Sequence, residues 1–108
     1  MKLNQLIENL KLKALSEGFE DREITGCYIG DLLSWVMGKA QSGDVWITIM
    51  NNINIVAVAA LTDCACILLC EGVTASEDII KKANSEGIAI LSSEKTAFEL
   101  AKELGGAV

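Results

Sequence analysis

The stretch from Val45 to Cys70, VWITIMNNINIVAVAALTDCACILLC, constrains the chain more than any other. It reads as an apolar strand, an asparagine turn, a helix of small apolar residues and a second apolar strand. Val45–Met50 and Ala65–Cys70 are apolar on both faces, as strands are when helices cover both sides of a sheet. A helix between two such strands predicts a parallel pair, because parallel strands need a crossover connection. The helix, Ile53 to Leu61, is apolar nearly all round, and Ala57, Ala59 and Ala60 let a neighbour approach closely. Such a helix is expected to be buried, against the sheet on one side and a second subunit on the other.

The rest of the chain extends this unit. Leu3, Leu6, Ile7 and Leu10 recur with helical spacing. Lys11 to Leu15 then alternates apolar and charged residues, predicting a short edge strand whose lysines discourage aggregation. Ile24–Ile29 predicts a strand, and Asp31 is placed as the N-cap of a helix with Leu32, Leu33, Val36, Met37 and Ala40 inward. Thr74-Ala75-Ser76-Glu77 fits a capping box for a further helix, with Ser76 a rival cap, and Gly87 is its stop. Ile88–Leu91 predicts the last strand, and Ser92 or Ser93 caps a final helix with Ala97, Phe98, Ala101 and Leu104 inward. From Ile24 onward strands and helices alternate. The expected fold is α/β: one three-layer domain over residues 1–108, with a mostly parallel sheet of four to five strands and helices on both faces.

Composition excludes several functions. The 108 residues carry 9 basic and 15 acidic side chains, a formal charge of −6, and only Lys81-Lys82 are adjacent. Nucleic-acid binding and an anionic membrane surface both call for clustered basic residues, so neither is an expected partner. No run approaches the roughly 18 apolar residues that span a bilayer, and polar residues interrupt the amino-terminal segment, so a cytoplasmic location is expected. There four cysteines are expected as thiols. Histidine is absent, which removes the commonest general base and metal ligand. Gly38-Lys39 lacks the remaining glycine and hydroxyl of a P-loop, and no dinucleotide-binding fingerprint follows any strand. No catalytic residues and no cofactor are expected.

The segment DREITGCYIGDLLSWVMGKAQSGDVWITI, followed by NINIVAVAAL, resembles the DRTGG domain family. Asp21, Arg22, Thr25 and Gly26 match the family motif, and Cys27 stands where a second glycine is usual. The resemblance runs from about Leu3 to Leu104. It implies an α/β fold and a tendency to self-associate. It also implies an accessory or regulatory role like that of the amino-terminal, non-kinase domain of HPr kinase/phosphorylase, or of the domains of this type found beside CBS pairs and in some phosphate acetyltransferases. Kinase activity is not implied, since it belongs to a separate P-loop domain.

Three groups could carry chemistry. Cys64, Cys66 and Cys70 have even spacings, which on one extended strand place all three on one face. They could hold zinc or an iron–sulfur cluster, with Cys27 as a fourth ligand, or they could be small apolar core residues. Asn51, Asn52 and Asn54 follow a central strand and open a helix. With Asp31, Thr74 and Ser92 they belong at the carboxyl edge of the sheet, where α/β proteins bind ligands. A small anionic or nucleotide ligand would suit the free N–H groups of that edge, and capping alone would also explain these residues. Asp21 and Arg22 could bind a ligand or set the turn before their strand. Trp46 belongs to the core, while Trp35 fits a core or an interface. The function these features favour is non-catalytic: a regulatory or ligand-sensing domain, homodimeric, acting through a partner enzyme or signalling protein. A metal protein built on the cysteines and a small enzyme acting on a nucleotide or acyl-phosphate are the alternatives.

Overall fold

A computed structural model describes residues 1–106. Its elements are α1 (Leu3–Asn9), β1 (Lys13–Ala14), β2 (Gly26–Ile29), α2 (Leu33–Lys39), β3 (Asp44–Thr48), α3 (Asn54–Thr62), β4 (Cys66–Leu69), α4 (Glu77–Glu86), β5 (Ile90–Ser92) and α5 (Ala97–Gly105). The five strands form one sheet in the order β1-β5-β4-β3-β2. Strands β2 to β5 are parallel, and β1 pairs antiparallel with β5, Lys13 opposite Ser92. The expected fold class holds, with the lysine-bearing strand at an edge.

Period-two alternation along β3 and β4 sorts the core into two layers. Val45, Ile47, Cys66 and Leu68 pack with Leu3 and Leu6 of α1 and Leu100 and Leu104 of α5. Trp46, Ile67 and Leu69 pack with Val36 of α2, Ile55, Val56, Val58 and Ala59 of α3, and Ile79 and Ala83 of α4. Strands that advance in one direction put their crossover helices on one face, and α2, α3 and α4 share this layer. After β5 the chain changes side, and α5 joins α1 on the opposite face. The two outgoing loops that diverge are therefore those after β4 and β5, which is where an open α/β sheet forms its crevice.

Several local expectations are corrected. Helix α3 buries one side only: Ala57, Ala60 and Leu61 are exposed, Leu61 at 74%. Of the residues expected inside α2, Val36 is buried, Leu33 and Ala40 are half-buried, and Leu32 and Met37 are exposed. Asp31 does not cap α2. Its carboxylate accepts instead from Thr48 Oγ1 at 2.8 Å and from the Ile49 N–H at 3.0 Å, fastening the end of β3. The N-cap of α4 is Ser76, not Thr74, and the capping box proposed there is not formed. Neither Ser92 nor Ser93 caps α5: Ser92 ends β5, and Thr96 and Glu99 form the box. Of the residues expected inside α5, Leu104 is buried, Ala97 and Ala101 are half-buried and Phe98 is exposed.

Candidate functional site at the carboxyl edge

The four matched motif residues lie at the amino edge of the sheet, and each has a structural partner. Asp21 Oδ1 accepts from the Asn4 N–H at 2.8 Å, capping α1, which has no side-chain cap of its own. Helix α3 ends at Asp63 in the left-handed conformation, φ 57°. Arg22 grips that end: its two Nη atoms donate to the two carboxylate oxygens of Asp63 at 2.8 and 3.1 Å, and Nη2 also to the Asp63 carbonyl at 3.2 Å. Ser42 Oγ donates to the same carboxylate. The guanidinium, and then Ser42, hold the Asp63 carboxyl down to about 2 from its ordinary 3.8. Thr25 Oγ1 donates to the Ser42 carbonyl at 3.0 Å. Gly26 leaves room for the buried Asp44, whose Oδ1 would stand 2.6 Å from a Cβ there. The motif is thus a clasp tying the chain before β2 to the ends of α2 and α3. A pocket of about 460 Å³ opens beside it, walled by the acids Glu20, Asp63 and Glu86 and by Arg22.

The cysteines do not converge. The strand alternation begins at Cys66, because Asp63 turns the chain just before Cys64. Cys66 and Cys70 therefore face the α1–α5 layer, whereas Cys64 packs in the α2–α4 layer, its Sγ 3.1 Å from Thr62 Oγ1. This corrects the expectation of one shared face. Cys27 is in register with Val45, and Val45 with Cys66, so Cys27 stands two strands away, about 9.5 Å at the usual spacing. Burial pushes the Cys64, Cys66 and Cys70 thiols above their ordinary value, whereas a metal requires thiolates. Among the described residues, no three or more Cys, Asp or Glu side chains are grouped to hold a metal ion.

The residues expected at the carboxyl edge divide into two groups. Asn52 Oδ1 accepts from the Asn54 N–H at 2.9 Å, an Asx turn that opens α3. These two asparagines are exposed, and Asp31 is occupied at the end of β3. Thr74 and Ser92, in contrast, line one pocket of about 410 Å³. Asn51 stands behind it, its Nδ2 donating to the Thr74 carbonyl at 2.9 Å.

This pocket lies beside the loops that diverge after β4 and β5. Those loops are laced together: the Glu71 N–H donates to the Lys95 carbonyl at 2.8 Å, and the Gly72 N–H to the Ser93 carbonyl at 2.9 Å. Gly72, at φ +76°, admits the carboxylate of Glu94, which would lie 2.6 Å from a Cβ. The lacing closes the crevice between β4 and β5 and moves the opening toward β1. Leu10, Lys11, Lys13 and Leu15 form that outer wall, and Ser93, Glu94 and Lys95 continue it. Lys95 Nζ donates to both carboxylate oxygens of Glu103, at 2.7 and 2.9 Å. The lysines are the residues that sequence reasoning missed here. Lys11 and Lys13 were legible as guards of an edge strand. Their position beside Ser92 depends on the pairing of β1 with β5, which separates them by more than 70 residues of chain.

The class this architecture defines is a small, mostly parallel α/β domain with a side-chain clasp at one sheet edge and a pocket at each edge. The chain belongs to the DRTGG domain family, whose model matches residues 5–107. It is similar in fold to the CBS and DRTGG domains of the regulatory region of Clostridium perfringens pyrophosphatase, solved with the activator diadenosine tetraphosphate. The TM-score is 0.72 at 16% identity, over 94% of this chain and 45% of that one. This chain thus spans less than half of the solved chain. No curated protein matches it. Among the described residues, no helix is long and apolar enough to cross a membrane.

Proposed function

We propose that this chain is a non-catalytic regulatory domain that senses a small ligand and passes its state to a partner enzyme or signalling protein. Family membership over residues 5–107 carries the reading. The structural neighbour belongs to the regulatory region of an enzyme and binds a nucleotide activator. The resemblance to the non-kinase domain of HPr kinase/phosphorylase points to the same accessory role. Absence of histidine and of a P-loop in the sequence agrees with sensing in place of turnover. The ligand is small and anionic or nucleotide-like and binds at the carboxyl edge of the sheet.

The working unit is a homodimer in the cytoplasm. The surface best suited to the contact joins α2 and α3, where Leu32, Trp35, Ile53 and Leu61 are each about half or more exposed. Ile53, just before α3, and the outward Ala57, Ala60 and Leu61 of α3 carry no charge, so two chains of net charge −6 can meet there without facing like charges. The test is a thermal-shift screen of nucleotides and phosphorylated metabolites, paired with assays for turnover of each compound. A specific rise in melting temperature without turnover supports sensing. Turnover of a compound that binds, or no shift across the screen, overturns it.

A further inference from the structure

We propose that the carboxyl-edge pocket binds the phosphate groups of a small phosphorylated ligand through Lys11, Lys13 and Lys95. This rests on the ligand-sensing reading and gives it a place and a ligand class. Three of the nine cationic side chains of an acidic protein line this pocket, against one acid, Glu94. Phosphate binding needs such a concentration of positive charge, and the amino-edge pocket is acidic by contrast, with its arginine already held by Asp63.

The lysines are set in place by backbone. Lys11 adopts the left-handed conformation, φ 55°, which is unfavourable for a residue with a side chain. Lys13 then stands opposite Ser92 at the end of β5. Lys95 sits in a loop fixed at both backbone groups, its N–H donating to Ser93 Oγ at 3.1 Å and its carbonyl accepting from Glu71. Neither Lys11 nor Lys13 makes an ion pair among the described residues, so their charge is available. The Lys95 ammonium has three donors, of which Glu103 engages two. Thr74, Ser92 and Ser93 add hydroxyls, and Leu10 and Leu15 offer apolar surface to the body of a ligand. A volume of about 410 Å³ is at the small end of ligand sites, and suits a mononucleotide or a sugar phosphate better than a dinucleotide.

The test is calorimetric titration of the full chain with ATP, with pyrophosphate and with adenosine. The proteins are the parent, Lys11→Ala/Lys13→Ala, Lys95→Ala, and a Lys81→Ala/Lys82→Ala control with the same charge change on α4. Binding of ATP or pyrophosphate, weakened at least tenfold in both pocket variants and unchanged in the control, is the expected result. Unliganded melting temperatures should stay within a few degrees of the parent. Equal binding of pyrophosphate and ATP would identify the phosphates as the whole determinant, whereas stronger binding of ATP would show that the apolar wall contributes. Equal weakening in the control, undiminished binding in the pocket variants, or adenosine binding as well as ATP would overturn the proposal. If neither phosphate probe binds but another compound of the thermal-shift screen does, this site fails and the sensing reading stands. If nothing in the screen binds, both fall.

Discussion

Arg22 is a motif residue whose visible contacts are structural. Its guanidinium closes the end of α3 by holding Asp63, and solvent screens the pair because the Asp63 side chain is 60% exposed. Arg22→Ala should therefore cost only about 1 kcal/mol, read as a modest fall in melting temperature at pH 7. The pH dependence has a definite sign. The Asp63 carboxyl lies lower in the folded chain, about 2, than its ordinary 3.8. The stabilisation is therefore full above the unfolded value and is lost as pH falls through the folded one. The melting-temperature gap between parent and Arg22→Ala should close between about pH 4 and pH 2. A gap that persists at pH 2 would assign the effect to packing. Gly43 makes a harsher demand: it sits at φ +85°, and a Cβ would lie 2.3 Å from Thr25 Oγ1. Gly43→Ala should destabilise by about 2 kcal/mol or more, measured by urea unfolding. The cysteine pattern was misleading at this scale. Even spacing implies a shared face only while the chain is extended, and the left-handed Asp63 lies just ahead of Cys64.

Among the elements, the four parallel strands and their helices were legible because apolar runs and turn residues agree along the chain. Caps were less legible, because several side chains compete for each helix start. Thr96-Ala97-Phe98-Glu99 is itself a capping-box pattern, obscured by the serines before it. Its box is complete: the Glu99 N–H donates to Thr96 Oγ1 at 3.2 Å, and the Thr96 N–H to Glu99 Oε1 at 3.1 Å. Thr96→Ala should cost about 1 kcal/mol and lower the melting temperature, while Ser92→Ala, at the end of β5, should cost less. The all-apolar character of α3 predicts burial on every side, yet the structure leaves Ala57, Ala60 and Leu61 exposed. That open side makes Leu61→Glu an informative change. In a homodimer joined through α2 and α3, it should give monomers at micromolar concentration by analytical ultracentrifugation without loss of the fold by circular dichroism. A parent chain that is already monomeric would contradict the dimer.

At the scale of the whole molecule, the two sheet edges have separate roles in this account. The amino edge carries the family motif and holds the connections together. The carboxyl edge carries the lysine-lined pocket, and its position follows from topology: helices α2 to α4 share one layer, α5 leaves for the other, and β1 closes the outer side. The sequence pattern pointed to this edge and included Thr74 and Ser92, which line the pocket. It could not place Lys11 and Lys13 beside them, because nothing local specifies that the first strand pairs with the last. In the asparagine turn, Asn52 forms an Asx turn at the start of α3 and Asn51 supports the Thr74 loop. The most direct measurement is an amide NMR titration of the full chain with ATP. Perturbations concentrated at residues 10–15, 72–74 and 92–96 are the expected result. Perturbations centred on Asn51–Asn54 or on the Arg22–Asp63 clasp, or an unchanged spectrum, would contradict a phosphate-sensing site in the pocket lined by Lys11, Lys13 and Lys95.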